Sequence, residues 1–427
     1  MKPRVLLLAE AANPERVSVP LVGWSFFNAL RQVADVHLVT QIRNQNAILR
    51  AGLVEGRDFT VIDTERLERP LHRISKALRL GWTSKTAFKA ISYPYFERLV
   101  WARFENELVS GAYDIVHRVT PPSPPINSPI ATRCAKAGIP FVLGPLNGGL
   151  PWPRGFDSTR RKEKEWLSYV RGAYKLLPRH DRMLKATSII LTGSHHTASE
   201  IPDVYRNRMI YLPENGIDSS RFHPVEKGER QHPVHACFVG RLVPYKGPDM
   251  LIEAAAPYLR TGDLHLDIVG DGPMMTELQA KIAMLGVSES VTVHGWVDHA
   301  DVPGILGAAD ILTFPSIREF GGGVVLEAMA LGVTPVVVDY GGPGELVEGG
   351  YGIAIPLGTR AQIIAHLSRA LADIVADPER TCLPPDVLIR HVENEFSWQA
   401  KARKICQVYS DLMSSKARKN ESLRNRI

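Results

Sequence analysis

Two short stretches hold residues suited to gripping a phosphorylated ligand. The first is Gly240-Arg241-Leu242-Val243-Pro244-Tyr245-Lys246-Gly247. A guanidinium offers phosphate oxygens a planar fork of donors, and the lysine ammonium adds a compact second charge. Gly240 lets the backbone turn sharply beside a ligand. Alone, such a pair reads more simply as a solvated basic loop. The second stretch, Glu319-Phe320-Gly321-Gly322-Gly323-Val324-Val325-Leu326-Glu327, changes that balance. Its glycines open a helical run, and the first N–H groups of a helix form an anion site. Glu319 precedes the glycine turn, and Glu327 lies about one turn inside the helix. Carboxylates repel a diphosphate, so their fitting targets are sugar hydroxyls. The competing reading is a helix capped by Glu319 with Glu327 exposed; the Arg/Lys loop upstream weighs against it.

These motifs need elements to carry them. Short apolar runs at 5–9, 36–40, 115–119, 141–143 and 189–192 read as strands. A second set falls at 236–239, 266–269, 291–294, 311–314 and 334–338, with helical segments at 248–259, 274–284 and 324–330 between them. This alternation predicts an α/β fold of two parallel, doubly wound domains. Open sheets of this kind bind ligands beyond the carboxyl ends of their strands, at a switch in strand order. Two such domains facing each other would hold the ligand in a central cleft. The turn-rich Pro213-Glu214-Asn215-Gly216-Ile217-Asp218 marks the hinge, giving domains at 1–217 and 218–395. Residues 396–427 form a closing helix, anchored by Trp398, Ile405 and Tyr409, and a basic tail.

Composition bounds the remaining choices. At 427 residues, with 44% hydrophobic and 22% charged residues, the chain suits a globular protein of two cores. No apolar run approaches the roughly 18 residues of a membrane span. The basic, then apolar, N-terminus stops at Glu10, so it reads as a buried strand and not as a signal peptide. Cys134, Cys237, Cys382 and Cys406 are far apart, which argues against a disulfide framework or a zinc site. Reduced cysteines fit a cytoplasmic protein. The net charge of +6 suits an anionic partner without choosing one.

The order Gly-Arg-x4-Lys-Gly, then Val269-Gly270-Asp271-Gly272-Pro273, then Glu-x7-Glu, then Gly341-Gly342-Pro343-Gly344-Glu345 resembles the family-4 retaining glycosyltransferases of GT-B fold. GT-B means two Rossmann-like domains, the first for the acceptor and the second for a nucleotide sugar. The resemblance implies that Arg241 and Lys246 hold the donor diphosphate, with Gly240 at the turn. It also implies that Glu327 binds the ribose hydroxyls and Glu319 the donor sugar. In the donor-binding turn Gly321-Gly322-Gly323-Val324, the backbone amides of Gly323 and Val324 would meet the phosphates, and Gly295-Trp296-Val297 would grip the nucleobase. No DxD-like carboxylate pair stands by the phosphates, so the two cations and the helix end are expected to replace a metal. No metal or other cofactor is implied. The departing phosphate would help take the acceptor proton, and the anomeric configuration would be kept. One departure stands out. The family's aromatic residue sits two positions after the first glutamate, whereas Phe320 follows Glu319 directly.

The first half offers fewer signals. Asp114-Ile115-Val116-His117-Arg118-Val119-Thr120-Pro121 resembles the family's Asp-x-x-His-x-His-x-Pro, with Val119 in place of the second histidine. His117 is thus either a residue near the reacting sugar or a structural one. Gly144-Pro145-Leu146-Asn147-Gly148-Gly149 either lines the cleft or is a plain turn, and Gly23 marks the first strand-to-helix loop, closing on the donor. Basic stretches at 69–89 and 154–185 interleave aromatics and fit contact with an anionic membrane surface. The partners expected are a nucleotide-diphosphate sugar and a lipid-linked or carbohydrate acceptor, in polysaccharide, lipopolysaccharide or glycolipid synthesis. Nucleic acid is not expected, because the basic aromatics lie apart from the main motifs. The alternatives are an epimerase or hydrolase of sugar nucleotides, a phosphorylase of the same fold, or a non-catalytic nucleotide-sugar-binding protein. A lone GxG at Gly270 and Gly272 is too weak to suggest NAD.

Overall fold

The computed structural model describes residues 2–77, 82–162, 177–222 and 233–424. Its first sheet contains β1 (Arg4–Ala9), β2 (Asp35–Gln41), β3 (Phe59–Ile62), β4 (Ile115–Thr120), β5 (Phe141–Leu146), β6 (Ile189–Thr192) and β7 (Met209–Tyr211). They lie in the order β3-β2-β1-β4-β5-β6-β7. The second contains β8 (Val234–Val239), β9 (Leu264–Val269), β10 (Val291–Gly295), β11 (Ile311–Phe314), β12 (Thr334–Val338) and β13 (Ile353–Ile355). Their order is β10-β9-β8-β11-β12-β13. Neighbouring strands run parallel in both sheets.

The sequence accounts for this arrangement. Every residue of β4 and β5 is buried, as expected for parallel strands covered on both faces. All ten expected strands form. Three more, β3, β7 and β13, close sheet edges with only three or four residues each, too few to display a period.

The chain forms two compact units. One comprises Met1–Gly149, Glu163–Glu214 and Trp398–Ile427; the other comprises Leu150–Lys162 and Asn215–Ser397. Residues 150–162 therefore depart from the division expected at 217/218. Trp152 packs against Tyr245 and Arg318, and Phe156 enters the apolar core of the second unit.

In the first unit, strand alternation builds an apolar layer on each face of the sheet. Leu6, Leu8, Val116 and Leu143 meet Tyr93, Phe96 and Phe104 on one side. Val5, Leu7, Ile115 and Val142 meet Phe26 and Phe27 on the other, together with Trp398, Ile405 and Tyr409. Those last three belong to the helix Trp398–Arg424, so the closing helix completes the core of the first unit. Beyond β1, Lys89 Nζ lies 2.5 Å from Glu10 Oε1 and 3.1 Å from Glu68 Oε1, while Arg43 pairs with Glu68. The two helices carrying Glu68 and Lys89 are thereby tied to the sheet by charges that burial permits only in pairs.

Among the described residues no helix is long and apolar enough to cross a membrane. The basic stretches at 69–89 and 154–185 lie in part outside the described residues, Arg79, Trp166, Tyr169 and Tyr174 included.

Gly23 is not in a loop, as expected, but inside the helix Val19–Val33. A Cβ there would stand 2.1 Å from the Ala11 carbonyl oxygen and 3.2 Å from Thr120 Cγ2. Its absence lets the helix touch the segment after β1. Gly23→Ala should therefore cost about 1–3 kcal/mol of stability through overpacking. Chemical denaturation checks this, and an unchanged midpoint would show that the helix moves aside freely.

Candidate active site

Strand order in the second sheet reverses between β8 and β11. Loops that follow such a central pair part from each other and leave a crevice at the strand ends. The Arg241–Lys246 loop follows β8, and the Glu319 turn follows β11. The two motifs thus meet at this switch point. Lys246 Nζ lies 2.5 Å from Glu319 Oε2, with both side chains mostly buried. The same ammonium sits 4.7 Å from the centre of the Phe314 ring, an electrostatically favourable face. Arg241 is exposed in the same loop.

Close backbone packing holds these loops. A Cβ on Gly270 would lie 2.0 Å from the Gly240 carbonyl oxygen, and one on Gly272 would lie 2.4 Å from that of Leu242. The Gly-Asp-Gly turn after β9 thus serves as a seat for the Arg241 loop. Gly341 and Gly342 seat the other motif in the same way. Their missing Cβ atoms leave room for the carbonyls of Glu319 and Phe320, and Gly342 N–H donates to the Glu319 carbonyl at 3.2 Å.

Gly322, with φ of 59°, caps the helix Gly323–Ala330 in a left-handed conformation that costs glycine little. The first-turn N–H groups of Gly323 and Val324 end that helix at the crevice. Asn215 stands beside them, its Nδ2 3.6 Å from where a Gly323 Cβ would be. Glu327, on the same helix, has Oε1 3.4 Å from His299 Nε2. Trp296 and Val297 follow β10, with Trp296 74% exposed.

The displaced Phe320 also finds its reason. Arg318 is buried, and its guanidinium lies 4.8 Å from the Trp152 ring centre and 5.3 Å from that of Phe320. Its Nε donates to the Leu150 carbonyl at 3.2 Å. Phe320 is thus bound up in a stack that fixes the backbone on both sides of Glu319. Sequence reasoning passed over Arg318 and His299, read Trp152 only as an aromatic beside the basic stretch at 154–185, and read Asn215 only as part of the hinge turn. The only local signal was the Asn-Gly pair at 215–216, which reads as a turn.

His117 belongs to the core and is no open site residue. It is fully buried in the middle of β4, paired with Leu7 and Val142. The Gly144 carbonyl can only accept, at 2.7 Å, so Nε2 carries the proton. Nδ1 then accepts from the Tyr409 hydroxyl at 2.5 Å. Both ring nitrogens are engaged, joining β4, β5 and the closing helix. In the Gly144–Gly149 segment, Asn147 Nδ2 donates to Glu214 Oε2 at 2.7 Å and Asn147 Oδ1 accepts from Ser194 at 3.0 Å, both within the first unit. Among the described residues, no group of three or more His, Cys, Asp or Glu side chains is placed to hold a metal ion.

Residues 219–381 match the family model for glycosyl transferases group 1. The chain is 30% identical over 293 residues to the GDP-mannose-dependent alpha-(1-6)-phosphatidylinositol monomannoside mannosyltransferase of Mycolicibacterium smegmatis, covering 63% of this chain and 73% of that protein. It is 29% identical over 323 residues to the Escherichia coli UDP-Gal:alpha-D-GlcNAc-diphosphoundecaprenol alpha-1,3-galactosyltransferase, covering 71% and 77%. The structure of Anabaena HepE in complex with UDP superposes with a TM-score of 0.63 over 96% of this chain and 100% of that one, at 16% identity. The chain belongs to the glycosyl transferases group 1 family, with the GT-B fold. It is a glycosyltransferase, and the names of its relatives favour none of the alternative activities.

Burial pushes the His117 imidazole down to about 4, against the Gly144 contact that raises it. An unfolded histidine titrates near 6.5, so between these values the unfolded chain binds more protons and stability rises with pH. The contribution is complete above about pH 6.5 and falls by up to about 3 kcal/mol as pH drops to 4. His117→Gln should flatten this part of the stability–pH curve. Calorimetric unfolding across that window checks it, and an unaltered slope in the variant would refute the assignment.

Proposed function

We propose that this glycosyltransferase moves a sugar from a nucleoside-diphosphate donor to a hydroxyl of a lipid-linked or carbohydrate acceptor, with retention of configuration and without a metal. One observation carries the reading: Lys246 and Glu319 meet at the switch point of the second sheet. A diphosphate there would compete with Glu319 for the Lys246 ammonium and gain the Arg241 fork and the helix N-terminus as further partners. Glu319, released, would face the donor sugar, and Glu327 would hold the ribose diol. Trp296 and Val297 would border the base. The cations would stabilise the charge of the leaving diphosphate in the transition state, the role a metal fills elsewhere.

The relatives named for GDP-mannose and UDP-galactose, and the UDP complex of HepE, support a nucleotide-sugar donor. The phosphatidylinositol and undecaprenol acceptors in those names support synthesis of glycolipid or cell-surface polysaccharide. Contact with an anionic membrane surface on the cytoplasmic side belongs to the same reading, supported by the net charge of +6.

A transfer assay with UDP-, GDP- and ADP-sugars, its product read by NMR, tests the whole. The expected product keeps the donor's anomeric configuration, and inversion would overturn retention. Activity should persist in EDTA; loss reversed by a divalent ion would overturn metal independence. Lys246→Ala and Arg241→Ala should each weaken nucleoside-diphosphate binding by about 1.5–3 kcal/mol, with the bare nucleoside nearly unaffected. Equal losses for both ligands in calorimetry would make the two residues structural.

A further inference from the structure

We propose that Arg221 and His299 form a relay that orients the Glu327 carboxylate, making His299 a positioning residue for recognition of the donor's ribose. The inference rests on the reading of Glu327 as the ribose-binding carboxylate. Arg221 Nη2 lies 2.6 Å from His299 Nδ1. A guanidinium has donors only, so Nδ1 must present its lone pair and the ring proton must sit on Nε2. That nitrogen is the one 3.4 Å from Glu327 Oε1. The arginine therefore fixes which tautomer the carboxylate meets.

The ring is itself held in place. Phe222, next to Arg221 in the chain, presents its edge with ring centroids 6.5 Å apart. On the other side, the turn after β10 is closed by Asp298, whose Oδ1 accepts from Ala300 N at 3.1 Å and whose carbonyl accepts from Asp301 N at 2.9 Å. All of these residues belong to the second unit. A carboxylate has about four acceptor sites. The nearest approach of the imidazole N–H is to Oε1, so acceptor capacity for a vicinal diol remains while free rotation of the carboxylate is removed. Residues 221 and 299 lie outside both sugar-binding motifs, and neither is of a type that marks itself as a diol reader.

The test compares UDP and GDP with their 2′-deoxy counterparts, using calorimetry on the full-length protein. Whichever base binds better serves for the variants. His299→Ala should weaken the ribonucleotide about fivefold to tenfold, the effect of losing one modest polar contact, and leave the 2′-deoxy form almost unchanged. His299→Gln, which can return an N–H near the same place, should restore part of the difference. Arg221→Gln should fall between His299→Ala and the unaltered protein. Equal weakening of both nucleotides by His299→Ala, or none, overturns the relay. Glu327→Gln separates the two levels of the argument. If it leaves the ribose preference intact, the ribose assignment fails and the relay fails with it. If it abolishes the preference while His299→Ala does not, the ribose assignment stands and the relay alone is wrong.

Discussion

Strand order is the constraint on which the second unit depends. From β8 the sheet grows one way through β9 and β10, and from β11 the other way through β12 and β13. Right-handed crossovers then send the connections to opposite faces of the sheet. The loops leaving β8 and β11 consequently diverge, and side chains on each can meet across the gap without the backbones colliding. Lys246 and Glu319 occupy those two loops. Their pairing needs no special recognition between distant pieces of chain, because the topology delivers both to one place.

Close approach of backbones does the finer positioning. Gly270 and Gly272 accept the Gly240 and Leu242 carbonyls at distances no side chain would tolerate, and Gly341 and Gly342 do so for Glu319 and Phe320. Four glycines that bear no chemistry thereby determine where the Arg/Lys loop and the Glu319 turn sit. The resemblance to a dinucleotide fingerprint at Val269-Gly-Asp-Gly-Pro is explained by this packing. The requirement there is for bare Cα atoms, and glycine meets it whatever ligand lies nearby.

What the sequence displayed and what it hid divide along a physical line. The buried strands announced themselves as apolar runs, because strands covered on both faces are built mostly of apolar residues. The glycine and charge motifs were visible because their spacing is local. Edge strands as short as β7 and β13 exist through pairing with a neighbour, and their own composition says little. The stack of Trp152, Arg318 and Phe320 joins residues more than 160 positions apart, and no periodicity encodes it. His117, left open by the sequence between a site role and a structural one, shows the converse. A histidine near a strand's end looked available for chemistry, but Tyr409, nearly 300 residues later, claims one nitrogen, and the Gly144 carbonyl claims the other.

The membership of residues 150–162 bears on how this gene can be cut and recombined. The chain enters the second unit at Leu150, leaves it at Glu163, re-enters at Asn215 and leaves again at Trp398. Neither unit is therefore a contiguous reading frame. A single breakpoint at the Asn-Gly turn would strand Trp152 with the wrong fragment and remove one wall of the stack that supports Glu319. The helix from Trp398 would likewise part from the sheet it covers. Exchange of donor-binding halves between relatives by one crossover must therefore carry a mismatch in aromatic packing. A chimera that keeps the native joints takes two inserts from the same parent, the short one around Trp152 and the long one from Asn215 to Ser397.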